Sequence, residues 1–365
     1  MDRLPRKAIV VLLLMAGTGL LGSSVNEKSA KVDSLITGEA KAQNFNGTIA
    51  VQRNNEIIYF ESFGKANFQF DVPNRNDTKY RIASITKLFT AVLVMEFVER
   101  GKLDLHKPIK TYLPSYAGEG AAEVTIRQLL TATSGIESSE KHGDLYHERL
   151  TTDDILKRYC SGKLEAEPGT KWKYNNADYV ILGKVIEAIT QVPFEQALRE
   201  QILNPAGMNS SGMCNSRTIV PGLAFTYQAN RHSKTIENDP LYYVENYYAA
   251  GAMYSTAGDL LKFSDALYGF HLLSEKSVRE ILTPDLAAYG YGLWIYDKEI
   301  DRQKIRVAER QGSIEGTTTR FLRLLDKGVT IILLSNCWTP AMNMDKLQFS
   351  IMKSVLREME TSSGN

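Results

Sequence analysis

The sequence predicts an α/β protein of the α+β kind, with an antiparallel sheet built from both chain ends, flanking helices and an inserted, mainly helical region. Three observations lead there. Residues 47–64 and 317–336 are each two β-rich runs around turn residues, and a helical stretch at 341–358 closes the chain. Between the two β-rich ends, apolar residues recur mostly at helical spacing. Strands so far apart in sequence bury their apolar faces only by meeting in one sheet. The middle of the chain then packs against that sheet, and the groove between them is the natural place for a site.

Taken in order, the chain opens with Arg3, Arg6 and Lys7, an uncharged apolar run from Ala8 to Gly22, and then small polar residues. That order is a secretory signal pattern, with cleavage expected after Ser24 and export to a periplasmic or secreted location. The run is short of the roughly 20 residues a spanning helix needs, and an uncleaved anchor in the membrane is the alternative. Residues 25–365 are read as one domain. In "GTIAVQRNNEIIYFESFG" the turn falls on Asn54 and Asn55, which tolerate positive φ. Helical patterns follow at 85–100, 125–132, 152–160, 177–191 and 193–203, punctuated by "EPGTKW" and "LNPAGM". The hairpin at 317–336 turns through Asp326, Lys327 and Gly328.

Composition excludes several functions. Lys plus Arg number 43 against 42 Asp plus Glu, and no basic block is present to neutralise a run of phosphates, so nucleic acid is not an expected partner. His106, His142, His147, His232 and His271 form no HxH or HExxH pair and no CxxC occurs, which argues against a metal. Cys160, Cys214 and Cys337 are odd in number and read as buried free thiols. No cofactor is implied.

The chemistry centres on a serine three residues before a lysine. SxxK occurs at Ser62/Lys65, Ser84/Lys87, Ser138/Lys141 and Ser350/Lys353, but only Ser84 sits where a helix begins. There, residues i and i+3 are neighbours, so Lys87 reaches the Ser84 hydroxyl. Free N–H groups and the positive helix end would stabilise an oxyanion and disfavour the charged form of Lys87, making it a base. An isolated SxxK is weak, being usually a capping serine and a solvated lysine. A second feature supports it: Tyr174-Asn175-Asn176, the only Tyr-x-Asn in the chain, just before a helix. A tyrosine relays protons, and an asparagine amide holds both an ammonium and a carbonyl. Asn176 could equally be a helix cap.

With "YRIASITKLFTAVLVMEFVERGKLDLHKPI", "VTIRQLLTATSGI", "PGTKWKYNNADYVILGKVIE", "PAGMNSSGM" and "AAGAMYSTAGDLLKF" following the first hairpin, the chain resembles the serine β-lactamase and penicillin-binding protein superfamily. The likeness is to the class C β-lactamase, D-alanyl-D-alanine carboxypeptidase and family VIII esterase branch, and it spans nearly the whole chain after residue 24. It implies the β-lactamase/transpeptidase-like fold, with Ser84 as the acylated nucleophile and Lys87, Tyr174 and Asn176 as its partners. The family's Lys/His-x-Gly on a groove-lining edge strand corresponds to Arg310-Gln311-Gly312, a departure, since arginine does not release its proton. Ala132 is a second departure, where relatives often carry histidine. The N–H groups of Ser84 and Ser313 would form the oxyanion hole, and Arg310 is expected to anchor a substrate carboxylate with its planar fork.

The resemblance therefore implies an exported serine hydrolase acting through an acyl-enzyme on a small molecule or peptide with a reactive carbonyl: a β-lactam, a D-amino-acid peptide or an ester. The absence of GxSxG argues against a Ser-His-Asp hydrolase. The competing reading is a catalytically weak homologue that binds cell-wall peptides or another protein.

Overall fold

The computed structural model describes residues 22–363 apart from 142, 143 and 231. The segment read as a signal lies almost wholly outside the described residues. Only Gly22–Ser24 fall within them, as the first residues of helix α1 (Gly22–Ala42).

Six strands form one antiparallel sheet: β1 (Gly47–Arg53), β2 (Glu56–Phe63), β3 (Trp294–Ile300), β4 (Gln303–Ile314), β5 (Thr317–Leu324) and β6 (Val329–Ser335). Their spatial order is β3-β4-β5-β6-β1-β2. The chain ends meet where β1 pairs with β6, from Gly47 opposite Ser335 to Arg53 opposite Val329. Both expected hairpins are present for the expected reason. Asn54 and Asn55 hold φ of 46° and 68°, and Gly328 holds 63°, the left-handed values such turns require.

The sheet is wider than the sequence pattern indicates. β3 and β4 form a third hairpin with no clean apolar alternation, because β4 is "QKIRVAERQGSI" and buries Glu309 and Arg310 where a core strand would place aliphatic residues. The helices follow the pattern more closely: α2 (Thr86–Glu99), α3 (Thr152–Tyr159) and α4 (Asn176–Thr190). The 125–132 pattern gives a short helix, Ile126–Leu130, and the 193–203 pattern gives Phe194–Leu198 followed by one wider turn to Leu203. Helix α5 (Ala257–Tyr268) and the closing helix α6 (Met344–Ser363) complete the packing.

Two cores lie on the two faces of the sheet. Ile36 of α1 and Leu347 and Ile351 of α6 pack on Ile49, Val51, Ile331 and Leu333. On the other face Ala50, Phe321, Ile332 and Leu334 meet α2 and α5, with Phe89 and Phe263 stacked at 4.0 Å. β6 is buried at every position because its side chains alternate between these two cores, which is why "VTIILLS" is an almost unbroken apolar run. Cys160, Cys214 and Cys337 are buried and unpaired. Among the described residues no helix is long and apolar enough to cross a membrane.

Candidate active site

The turn that carries Ser84 is pinned on both sides. The short strand Tyr80–Arg81 pairs with Met253–Ser255, and Ile82 donates its N–H to the Met253 carbonyl at 3.0 Å. From the sheet, Thr319 Oγ1 donates to the Ile82 carbonyl at 3.0 Å. Ala83 then takes a left-handed φ of 48°, which for a residue with a Cβ costs about 1–2 kcal/mol. The Thr86 hydroxyl, donating to the Ala83 carbonyl at 2.7 Å, holds that kink. Ser84 thus stands in a single tight turn, Ala83–Ile85, directly ahead of α2. At the other three SxxK sites the lysines form ion pairs: Lys65 with Asp71, Lys141 with Glu165 and Lys353 with Asp301.

Lys87, in the first turn of α2, has no exposed surface. Burying an ammonium costs several kcal/mol unless acceptors surround it. Here it donates to Asn176 Oδ1 at 2.6 Å, the Ala250 carbonyl at 2.8 Å and Ser84 Oγ at 3.2 Å. Asn176 is free for this because the helix cap is its neighbour: Asn175 Oδ1 accepts from the Ala177 N–H at 3.0 Å, and Asn176 begins α4. The capping alternative therefore falls to Asn175.

Tyr174 approaches Ser84 from the other side, its phenol donating to Ser84 Oγ at 2.8 Å. Burial alone would push this phenol up, but the charges of Arg310 and Lys87, with hydrogen bonds from Lys87 and Ser84, bring it down to about 8. Arg310 is placed differently from the carboxylate anchor expected of it. Only 1% exposed, it donates from Nε to the Ser84 carbonyl at 2.7 Å, from Nη1 to Tyr289 Oη at 3.0 Å and from Nη2 to Tyr174 Oη at 2.5 Å. The rings of Tyr174 and Trp294 each lie 5.2 Å from its Cζ. It neither faces solvent nor pairs with Glu309, which engages Arg320 instead.

The strand bearing Arg310, Gln311, Gly312 and Ser313 is not the outermost of the sheet. β3 stops pairing at Trp294 opposite Glu309, however, so residues 310–314 run past it with one edge unpaired by that strand. Gly312 lies against the Ser84 turn: a Cβ there would stand 2.5 Å from the Ile82 carbonyl oxygen and 3.1 Å from the Ser84 nitrogen. A groove of about 550 Å³ opens over this junction, lined by Ser84, Tyr174, Asn176, Arg310, Gln311, Gly312 and Ser313. Lys87 lies beneath them. The site residues picked out from sequence are thus assembled at one place.

Sequence reasoning missed the groove's aromatic wall and its far rim. Trp294, which lines the groove, and Tyr289, buried behind it with ring centroids 5.0 Å apart, arrive on "YGYGLW", where Gly292, at φ 83°, passes so close that a Cβ would sit 3.0 Å from the Lys87 carbonyl oxygen. Two glycines interleaved with aromatics were the available signal. Tyr247, Trp338, Arg320 and Asp345 also line the groove, brought by segments with no motif of their own. In the first turn of α4 itself, Asp178 is fully buried and accepts from the Ser134 hydroxyl at 2.6 Å; burial holds its carboxyl well above the usual carboxylate range.

Comparison with known proteins agrees with this geometry. The β-lactamase family profile matches residues 32–353, so the chain belongs to the β-lactamase family. It is 30% identical to the putative penicillin-binding protein PbpX of Bacillus subtilis (strain 168) over 73% of this chain and 66% of that one. It is 32% identical to the esterase EstB of Burkholderia gladioli over 52% of each. The chain thus spans about half to two thirds of the length of these relatives. Its fold superposes on a crystal structure of a penicillin-binding protein from Bacillus halodurans with a TM-score of 0.75 at 26% identity, covering 88% of this chain and 98% of that one. The α+β fold read from the sequence is that of this superfamily, and the family's named members here include a hydrolase.

Proposed function

We propose that the chain is a serine hydrolase that passes its substrate's acyl group through an ester on Ser84. One observation carries the reading: Ser84 Oγ lies between Tyr174 Oη at 2.8 Å and Lys87 Nζ at 3.2 Å, so one hydroxyl meets both a proton acceptor and a fixed donor. Tyr174, brought down to about 8, in its ionised form takes the Ser84 proton as Oγ attacks the carbonyl carbon. The carbonyl electrons move onto oxygen, which the N–H groups of Ser84 and Ser313 receive, held close by Gly312. Collapse breaks the bond to the leaving group, and Tyr174 returns the proton to it. A water, deprotonated by Tyr174, then attacks the ester carbon; as the bond to Ser84 Oγ breaks, Tyr174 returns that proton to Oγ, and the acid leaves.

Lys87 in this reading acts as an ammonium. With two carbonyl acceptors at 2.6 and 2.8 Å it would lose two short, charge-assisted bonds on giving up its proton, so the base is Tyr174 rather than the lysine. Substrates are carbonyl compounds of the ester, amide or lactam type, a range supported by the names of its relatives. Intact-mass analysis after a slow ester, a β-lactam or a fluorophosphonate should show one adduct, mapping to Ser84, and Ser84→Ala should lower turnover by more than roughly 10⁴-fold. A folded protein that takes no adduct from any of the three would instead be a binding module.

A further inference from the structure

The groove has two guanidinium groups in its wall, and both are already occupied. Arg310 is committed through all three of its nitrogens to Ser84, Tyr289 and Tyr174. Arg320, on β5 opposite Gln311, is 8% exposed and donates from Nε to Gln348 Oε1 at 3.1 Å, from Nη1 to the Thr319 carbonyl at 3.1 Å and from Nη2 to Asp345 Oδ1 at 3.1 Å. Glu309 adds a second carboxylate at 3.4 Å from its Nε. Among the described lining residues no other side chain is cationic, and the exposed charge at the rim is negative: the Asp345 side chain keeps 76% of its surface. Lys298 borders the adjoining hollow, but it pairs opposite Ile305, seven strand positions from Gly312 or roughly 23 Å. That is too far to meet a leaving group on a carbonyl held at Ser84.

Building on the acyl-enzyme reading, we propose that this groove selects acyl donors whose leaving group is uncharged, such as simple esters and amides. It turns away donors that carry a carboxylate beside the scissile bond. A carboxylate entering here loses its water shell, meets no free donor fork and faces Asp345. To capture one, Arg310 would have to drop Tyr174 or Tyr289, and Arg320 would have to drop Asp345. The arginine standing where the family pattern has Lys or His is thus turned inward, onto the general base, and is not available to the substrate. Trp294, Tyr247 and Trp338 give the same groove apolar faces suited to an uncharged group.

The test is a matched substrate pair on the wild-type protein: the butyryl esters of 3-hydroxybenzamide and of 3-hydroxybenzoate, each rate corrected for its hydroxide-catalysed hydrolysis. We expect kcat/KM to favour the amide-bearing ester by at least about tenfold at low salt, and equal or reversed values overturn the proposal. Fluorophosphonate labelling of Ser84 in the same preparation separates the two ideas, since labelling with equal rates sinks the selectivity alone, whereas no labelling sinks the acyl-enzyme reading itself. Arg310→Gln and Arg310→Lys should lower kcat for both esters by a common factor and leave their ratio unchanged. A loss confined to the carboxylate ester and appearing in KM would make Arg310 its anchor and overturn the assignment. Asp345→Asn relieves Arg320 of one partner and should narrow the ratio by about threefold; an unchanged ratio counts against the part given to Arg320 and Asp345.

Discussion

The two faces of the sheet bury different kinds of residue. Where α1 and α6 lie, the core is Ile36, Ile49, Val51, Ile331, Leu333, Leu347 and Ile351, with Arg320, Glu309 and Gln348 only at its margin. Around α2 and α4, against the other face, Lys87, Asp178, Tyr179, Tyr289 and Arg310 are each no more than 1% exposed. The first core gains about 25 cal/mol for each Å² of apolar surface removed from water. The second includes charges whose desolvation is unfavourable, and it holds together because Lys87 and Arg310 meet acceptors at every side-chain nitrogen. The difference teaches where the fold is made stable and where it is made reactive. Buried charges that are fully bonded are pre-oriented, so their fields act on Tyr174 and Ser84 without reorganisation.

The comparison breaks first, and most visibly, at Tyr174. Tyr174→Phe should lower kcat by roughly 10²–10⁴-fold with little change in KM, the usual worth of a positioned acid–base group. Its combination with Lys87→Ala should fall well short of the product of the single losses, because both act on one proton transfer. In the wild type, kcat/KM should fall as pH drops below about 8, tracking protonation of the phenol. Multiplicative losses, or a flat profile between pH 6 and 9, would remove Tyr174 from the role.

On the apolar face the expected effect is thermodynamic. Leu347→Ala should destabilise the protein by about 2–5 kcal/mol, measured by denaturant melts, and leave kcat of the folded fraction within twofold. A variant that keeps its stability but loses activity would erase the division between the two cores.

Asp178 gives the smallest and sharpest test. Its folded-state value is raised, so the native protein holds a proton that the unfolded chain gives up above its ordinary 3.8. That contribution to stability is complete below 3.8 and is lost as pH rises through the folded value, by up to about 1.4 kcal/mol per unit. Asp178→Asn, which cannot titrate, should therefore show a shallower fall of stability with rising pH than the wild type. Parallel curves for the two proteins would mean that Asp178 does not retain its proton in the fold.

Much of this was legible in the chain because it depends on neighbours in sequence. Asn54-Asn55 and Gly328 fixed two turns, helical spacing located α2, α3 and α4 to within about a residue, and Ser84/Lys87 needed only the geometry of one helical turn. The hairpin of β3 and β4 was hidden because its buried positions include Glu309 and Arg310, whose placement makes sense only beside Arg320, Tyr289 and Tyr174. Tyr174 and Ser84 are 90 residues apart, and Arg310 and Ser84 are 226 apart. Which of them touch, and in which direction a guanidinium fork points, follows from long-range packing that no local pattern encodes. The sequence by itself therefore determined the family, the strand-rich ends and the set of reactive residues. The tertiary structure decided that Asn175 caps the helix while Asn176 holds the lysine, and that the positive charge of Arg310 is turned onto the base, because burial and hydrogen-bond satisfaction are settled only once distant segments close around them.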